Sequence, residues 1–163
     1  MIKRKTNKHS GIIEALHQAQ KIAFSPFIFQ ACVAAKRLGV LAAMTEPASE
    51  SDIEHKTGLS AYAVAVLVDA LVASDICRRT ENGALQLTKT GECLLFDEMT
   101  SVNLDFAADV CYGALESLEE SLKTARPEGL KRFGSWSTIY PGLSKLPQRA
   151  RRSWFAFDHY YSD

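Results

Sequence analysis

The residue types that most often carry catalysis are scattered along this 163-residue chain. Its four histidines and four cysteines lie far apart, with no C-x-x-C pair and no spacing that predicts a metal site. Asp158 and His159 are adjacent, but adjacency in sequence supplies no acid–base geometry. Dinucleotide-binding, phosphate-binding, serine-hydrolase and zinc-protease motifs are all missing from the sequence. We therefore predict no catalytic, cofactor-binding or metal-binding residue in this chain.

Aromatic side chains give the stronger chemical signal. Between Trp154 and Tyr161, five of eight residues are aromatic. Exposing so many rings is unfavourable, so we predict that further polypeptide covers them and that the sequence is a fragment. The aromatic residues of the C-terminal third have two interpretations: they pack in the core and between domains, or they line an apolar pocket for a flat, ring-containing molecule. The candidate pocket residues are Trp136, Tyr140, Phe155, Phe157, Tyr160 and Tyr161.

The charge balance counts against a dedicated nucleic-acid binder. The chain has 19 Lys plus Arg and 19 Asp plus Glu, whereas nucleic-acid-binding domains are usually basic. Two local basic clusters, residues 3–8 and 149–152, are predicted to be solvated surface.

Targeting and membrane signals are also missing. Scattered cysteines and the lack of a signal-peptide pattern predict reduced thiols and a cytoplasmic protein. The most apolar stretch, residues 26–44, is interrupted by Lys36 and Arg37, so we predict a buried helix and no membrane span.

The elements that must position the aromatic residues begin with two predicted helices in residues 10–48. Ser10 starts the first helix, and Ser25-Pro26 is a start signal for the second. The second helix is apolar almost all round and must be covered on every side. In so small a chain, this favours a partner subunit.

Residues 49–98 predict a winged-helix module, because helix, turn, helix and hairpin follow in that order. The local signals are a capping box at Ser49 and Asp52, a stop at Gly58, a cap at Ser60, strands at 76–80 and 84–88, and a tight turn at 81–83.

The second helix of this module, residues 60–74, lacks the chemistry for reading DNA. It contains no Lys, Arg, Asn or Gln, and its one charge is Asp69, whereas base edges and phosphates are contacted by those side chains. Arg78, Arg79 and Lys89 near the wing nevertheless keep a winged-helix transcriptional regulator open as the alternative function. A protein-interaction module alone is the third possibility.

Residues 99–163 predict a helical extension. A long helix over residues 101–124 carries apolar residues from Leu104 to Leu122 on one face, residues 130–146 are irregular, and a final helix follows Pro147. Residues 1–9 are predicted to be a basic, disordered tail. The predicted fold class is mainly α: a winged helix-turn-helix with a two-stranded wing plus extra N- and C-terminal helices.

In order and spacing, these segments resemble the N-terminal dimerisation and substrate-binding region of the S-adenosylmethionine-dependent small-molecule O-methyltransferases of plants and bacteria. The resemblance covers almost the whole chain after residue 10. The motifs that carry it are K-R-L-G-V-L at 36–41, S-E-S-D-I-E-H-K-T-G-L-S at 49–60, V-L-V-D-A-L-V-A-S-D-I at 66–76, L-T-K-T-G at 87–91 and F-D-H-Y-Y-S-D at 157–163.

The resemblance implies a homodimer through the N-terminal helices and a pocket for a small aromatic or polycyclic acceptor, with no role for nucleic acid or membrane. In the family a catalytic domain that binds S-adenosylmethionine follows this region, so we expect this chain alone to bind no cofactor and transfer no methyl group. By position, Phe24 and Phe27 are expected to reach the partner's pocket. Tyr112, Trp136 and Phe157 are expected to line the chain's own pocket, with Tyr140 and Tyr160 from the aromatic set.

Overall fold

Helices make up most of the structure, a computed structural model that describes residues 6–162, with side chains from residue 11 onward. One two-stranded antiparallel sheet is present among these residues. This architecture confirms the mainly helical class and the small hairpin predicted from the sequence.

The chain divides into two compact units, Met1–Gln86 (unit 1) and Leu87–Asp163 (unit 2). The boundaries predicted after residues 48 and 98 mark functional segments, and those assignments stay predictions. Residues 1–5 of the predicted tail lie outside the described residues, and Thr6 already begins a helix.

Unit 1 begins with a single long helix, α1 (Thr6–Arg37), which is about 48 Å long at 1.5 Å per residue. The prediction of two helices with a start at Ser25-Pro26 was wrong. Pro26 has no N–H to donate to the Ile22 carbonyl oxygen, but the Ser25 hydroxyl donates to that oxygen at 2.8 Å. The helix therefore continues through the proline, and Ser10 lies inside it.

The remaining elements of unit 1 begin and end at the predicted local signals. In the capping box, the Ser49 hydroxyl accepts from the Asp52 N–H at 3.1 Å, and the Asp52 carboxylate accepts from the Ser49 N–H at 2.9 Å. Hydrogen bonds from Ser49, first from its side chain and then from its backbone, hold the pKa of Asp52 below its usual value. Gly58 ends one helix in the left-handed region, and Ser60 caps the next. The elements are α2 (Val40–Ala43), α3 (Glu50–Thr57), α4 (Ala61–Ala73), β1 (Cys77–Arg79) and β2 (Leu85–Leu87).

The hairpin turns at Gly83, whose φ of +78° suits glycine. Across the turn, the Thr80 N–H donates to the Ala84 carbonyl oxygen at 2.8 Å. Ala48 pairs with Leu85 through two backbone bonds of 3.0 and 2.8 Å, so the segment before α3 is tied to the hairpin. Burial raises the pKa of the Cys77 thiol to about 11, which keeps this thiol protonated at neutral pH.

Unit 2 follows a helical path whose winding changes three times, where one regular helix was predicted over residues 101–124. Ala125, with φ of +53°, ends the path. The reason for the altered winding is non-local: the turn at Glu128–Arg132 packs so closely on this path that a Cβ at Gly129 would overlap the Ala114 carbonyl oxygen. The segments are α5 (Lys89–Phe96), α6 (Glu98–Phe106), a π turn (Ala107–Cys111), a 3-10 turn (Tyr112–Ser117) and α7 (Leu118–Thr124).

The core of unit 2 lies between α6, the π turn and the final helix, α8 (Gln148–Ser162). Val110, Leu146 and Ala150 are its buried members. The buried Ser153 hydroxyl donates to the Asp109 carboxylate at 2.8 Å. The predicted helix after Pro147 is confirmed.

No single helix in the described part of the chain is long and apolar enough to cross a membrane. α3 and α4 together meet the same length and composition test, although they are bent by 118°.

Candidate functional site

The N-terminal two thirds of α1 carry apolar side chains that the chain itself leaves exposed. Every described residue from Gly11 to Phe27 is exposed, including Leu16 at 59% and Phe27 at 72%. Burial begins at Cys32, so the all-round burial predicted for residues 26–44 holds within this chain only for their C-terminal part. Apolar patches of this kind mark interaction surfaces.

Five of these side chains lie within an arc of about 120° around the helix axis at 3.6 residues per turn. The Phe24 and Phe27 rings lie 6.0 Å apart at one end of this row. We call the set the apolar stripe of α1; its members are Ile12, Ile13, Leu16, Phe24 and Phe27.

Unit 2 carries a continuous chain of aromatic contacts along α8 and onto α6. Phe157 stacks on Phe106 with ring centroids 4.1 Å apart, and Trp154 contacts the same Phe106 ring at 5.7 Å. We call the six residues the ring chain; in order of contact they are Tyr140, Trp154, Phe106, Phe157, Tyr161 and Tyr160.

One end of the ring chain has a polar group. The Tyr161 hydroxyl lies 2.9 Å from the Asn103 amide nitrogen and 3.0 Å from its amide oxygen. Tyr160 and Tyr161 are exposed. The ring chain therefore offers aromatic surface next to a hydrogen-bonding group, which suits a flat molecule with a polar substituent.

The structure brings together three of the seven site residues predicted from the sequence. Tyr140, Phe157 and Tyr160 belong to the ring chain. Trp136 lies outside it, with its indole against Gly134 and Gly142 so closely that a Cβ on either glycine would overlap the ring.

The other three predicted residues are not members of the ring chain. Tyr112 is half-buried at the start of the 3-10 turn. Phe24 and Phe27 lie on α1, in the other unit. A binding role for all seven residues stays a prediction.

An apolar cavity of about 320 Å³ in unit 2 is lined by none of the seven predicted residues. Its walls come from the π turn, the 3-10 turn, α7 and the Glu128–Arg132 turn. Desolvation by burial raises the pKa of the Cys111 thiol in one wall. We call it the leucine cavity; the residues that define it are Val110, Cys111, Ala114, Leu115, Leu118 and Leu130.

Sequence reasoning missed the leucine cavity because it placed the apolar residues of this segment on one packed helix face. Leu118 is in fact 51% exposed at the cavity, and Leu122 is 76% exposed outside it. The change to 3-10 winding rotates these side chains away from the core. The signal that could have found the cavity is Pro127 followed by Gly129 after α7, where the chain turns back across its own path.

The described residues do not fit a metal or a nucleotide cofactor. Within residues 6–162, no group of three or more His, Cys, Asp or Glu side chains could hold a metal ion. Their one sheet has two three-residue strands, and neither leads into the glycine-rich turn through which backbone approaches such a cofactor.

The N-terminal part of the chain matches a known domain family. Residues 16–82 match the Dimerisation2-like domain family. This match confirms the resemblance to a dimerisation region that the sequence motifs indicated. No curated protein sequence matches the chain at a significant level.

The fold is similar to solved structures of methyltransferases at low sequence identity. The S-adenosylmethionine-dependent methyltransferase SibL aligns with a TM-score of 0.76 and 19% identity, over 90% of this chain and 44% of SibL. The mitomycin 7-O-methyltransferase MmcR aligns with a TM-score of 0.74 and 17% identity, over 92% of this chain and 45% of MmcR. Human N-acetylserotonin methyltransferase, solved in complex with S-adenosylmethionine, aligns with a TM-score of 0.65 and 18% identity, over 88% of this chain and 46% of the enzyme. The chain thus spans less than half the length of each of these proteins.

Proposed function

We propose that this chain is the dimerisation and acceptor-recognition region of an S-adenosylmethionine-dependent O-methyltransferase acting on a small aromatic or polycyclic molecule. The observation that carries the proposal is the match of residues 16–82 to the Dimerisation2-like domain family, joined to an exposed apolar stripe on α1, three of whose five members lie within the match. The catalytic domain lies outside these residues. S-adenosylmethionine bound there supplies the methyl group.

The homodimer forms through α1. The part of α1 that carries the stripe is exposed in the single chain, and a second copy provides a matching surface through a two-fold contact. Burying apolar area on both helices gives the association its driving force. Phe24 and Phe27 lie at the C-terminal end of the stripe, and in the proposed dimer they reach the partner's acceptor pocket.

Acceptor recognition falls to the ring chain and its neighbours in unit 2. The rings of Phe157 and Tyr160 stack on a flat acceptor, and the Asn103–Tyr161 pair orients its polar substituent. Tyr112, Trp136 and Tyr140 complete the proposed pocket. Aromatic walls with few polar groups are the usual composition of such sites.

We further propose that α3, the turn at Gly58, α4 and the hairpin are a winged helix that serves as a protein scaffold. The outer face of α4 has no cation, and its largest exposed side chain is Tyr62, at 80% exposure. Arg79 of β1 is paired with Glu50 at 2.6 Å. A helix with this surface suits contact with protein better than with phosphate.

DNA binding separates the proposed function from the regulator alternative. Under the proposed function, we expect no binding of a fluorescein-labelled duplex in an anisotropy titration at about 50 mM salt, where counterion release most favours phosphate contacts. The charge-reversal variant Arg78→Glu should give the same flat curve. Wild-type binding that weakens steeply towards about 200 mM salt and is lost in Arg78→Glu would favour the regulator instead.

Two measurements test the proposed function. Sedimentation equilibrium should give twice the 18.0 kDa mass of one chain, and a monomer at all concentrations would contradict the dimer. The reading frame after Asp163 should encode a strand and a glycine-rich turn within about 30 residues. A stop codon there would contradict the methyltransferase while leaving the dimer standing.

A further inference from the structure

We propose that the leucine cavity is a binding site for a neutral, two-ring aromatic or hydrocarbon group, separate from the ring chain. Its walls all lie within residues 110–139 of unit 2, and no residue of the ring chain is among them. The site requires neither dimer formation nor methyl transfer, so it goes beyond the proposed function.

The volume of the cavity sets the size of the ligand. An apolar protein cavity of about 150 Å³ takes up benzene, and the leucine cavity has about 320 Å³. It therefore suits a group of two fused or linked rings. Ligand sites of small molecules begin at about this volume.

The polarity of the walls sets the charge of the ligand. Cys111 is the one lining residue with a thiol, and no lining residue has a carboxylate, an amine, a guanidinium or an imidazole. Burial raises the pKa of the Cys111 thiol, so this group stays protonated at neutral pH. The one hydroxyl, that of Ser121, donates to the Ser117 carbonyl oxygen at 2.9 Å and accepts from the Glu128 N–H at 3.0 Å. A charged group would lose its hydration here without gaining a partner, so the ligand is neutral.

The build of the walls favours a small ligand over a protein surface. Two of the turns that line the cavity pack closely: a Cβ on Gly129 would overlap the Ala114 carbonyl oxygen. A π turn forms its inner wall, and π turns occur frequently at functional sites. Leu115 and Leu118 are half-exposed at the cavity, where a ligand would cover them.

The neutral probe N-phenyl-1-naphthylamine tests this site, because its two-ring naphthyl group matches the proposed ligand and its fluorescence rises in apolar surroundings. Titration of the 163-residue chain should saturate at one probe per chain. Leu118→Ala, which removes part of a wall, should weaken binding by about tenfold, or about 1.4 kcal/mol. Leu122→Ala removes a leucine from the same helix outside the cavity and should stay within about twofold.

Two further arms complete the test. Ala114→Leu, which fills the cavity, should also weaken the probe by at least about tenfold. The anionic relative 1-anilinonaphthalene-8-sulfonate should bind at least about tenfold more weakly than the neutral probe. Far-UV circular dichroism of each variant reports whether the chain is folded, and Leu118→Ala, at a half-exposed position, should keep the wild-type spectrum.

The proposal is overturned if binding does not saturate, if Leu118→Ala and Leu122→Ala have equal effects, or if the anion binds as well as the neutral probe. Loss of the signal as chain association increases would show that a second copy fills the cavity, which also overturns it. A dissociated Leu16→Asp chain that still binds the probe would support the site even if the proposed dimer or methyltransferase were wrong.

Discussion

Leu16→Asp is expected to dissociate the dimer, weakening association by at least about 100-fold, equivalent to about 2.8 kcal/mol. Leu16 lies in the middle of the apolar stripe of α1 and is 59% exposed in the single chain. Burying one leucine is worth about 2 kcal/mol, and a two-fold dimer buries it twice. The aspartate forfeits this gain and would place a carboxylate in an apolar contact, where ions lose hydration. Sedimentation equilibrium across a concentration series measures the change.

Gln18→Asp is the matched control for this variant. It adds the same charge two residues away, on the side of α1 opposite the stripe at 3.6 residues per turn. Gln18 is exposed, and its side-chain amide donates to the Glu14 carboxylate of the same helix at 2.9 Å. This variant should sediment like the wild type. Equal dissociation of the two variants, or an unchanged mass for Leu16→Asp, would show that the stripe is not the dimer contact.

Gly129→Ala is expected to destabilise unit 2 by about 1–3 kcal/mol, the range for forcing extra atoms into a close-packed contact. The new Cβ would overlap the Ala114 carbonyl oxygen, and a backbone atom cannot move aside without shifting the 3-10 turn. Both tryptophans, Trp136 and Trp154, lie in unit 2. Urea unfolding followed by tryptophan emission therefore reports this unit, and the transition midpoint should fall.

Gly113→Ala separates the effect of a clash from that of adding a methyl group. At Gly113 the new Cβ would meet the guanidinium end of Arg132, which is flexible and can swing away. The added methyl group also lowers the entropy of the unfolded chain. The midpoint should change by less than the equivalent of about 1 kcal/mol. Equal losses in the two variants would mean that the contact at Gly129 does not fix the turns.

The contact at Gly129 also links the stability of unit 2 to the leucine cavity, because the same two turns supply its walls. Gly129→Ala should therefore change the shape of the cavity as well as the stability of the unit. Leu118→Ala acts on the wall alone, which makes it the cleaner variant for ligand binding. Stability and binding can be separated in this way.

Several features could be predicted from the sequence because a few neighbouring residues decide them. Ser49 and Asp52 satisfy each other's backbone groups, Gly58 supplies a left-handed stop, and Ser60 caps the next helix. The absence of Lys and Arg from α4 is likewise visible in the sequence, and it favours contact with protein over contact with DNA. The family match at residues 16–82 agrees with the motifs in this region.

The sequence pattern did not predict the features that depend on a competing local bond or on contacts between distant residues. Ser25-Pro26 is a start signal by sequence, yet the Ser25 hydroxyl satisfies the carbonyl that the proline leaves without a donor, and α1 continues. The long helix of unit 2 changes its winding because residues some fifteen positions apart, Ala114 and Gly129, meet at backbone distance. No periodicity of apolar residues encodes that meeting.

The chain's sequence by itself determined the helical class and the capped α3 and α4 with their hairpin, because hydrophobic pattern and local hydrogen bonding fix them. Only the tertiary structure showed that the exposed apolar stripe lies in the N-terminal two thirds of α1, that three predicted aromatic residues join one ring chain, and that half-exposed leucines line a cavity. Those outcomes follow from which surfaces the fold leaves uncovered, and the packing of segments far apart in sequence sets that exposure.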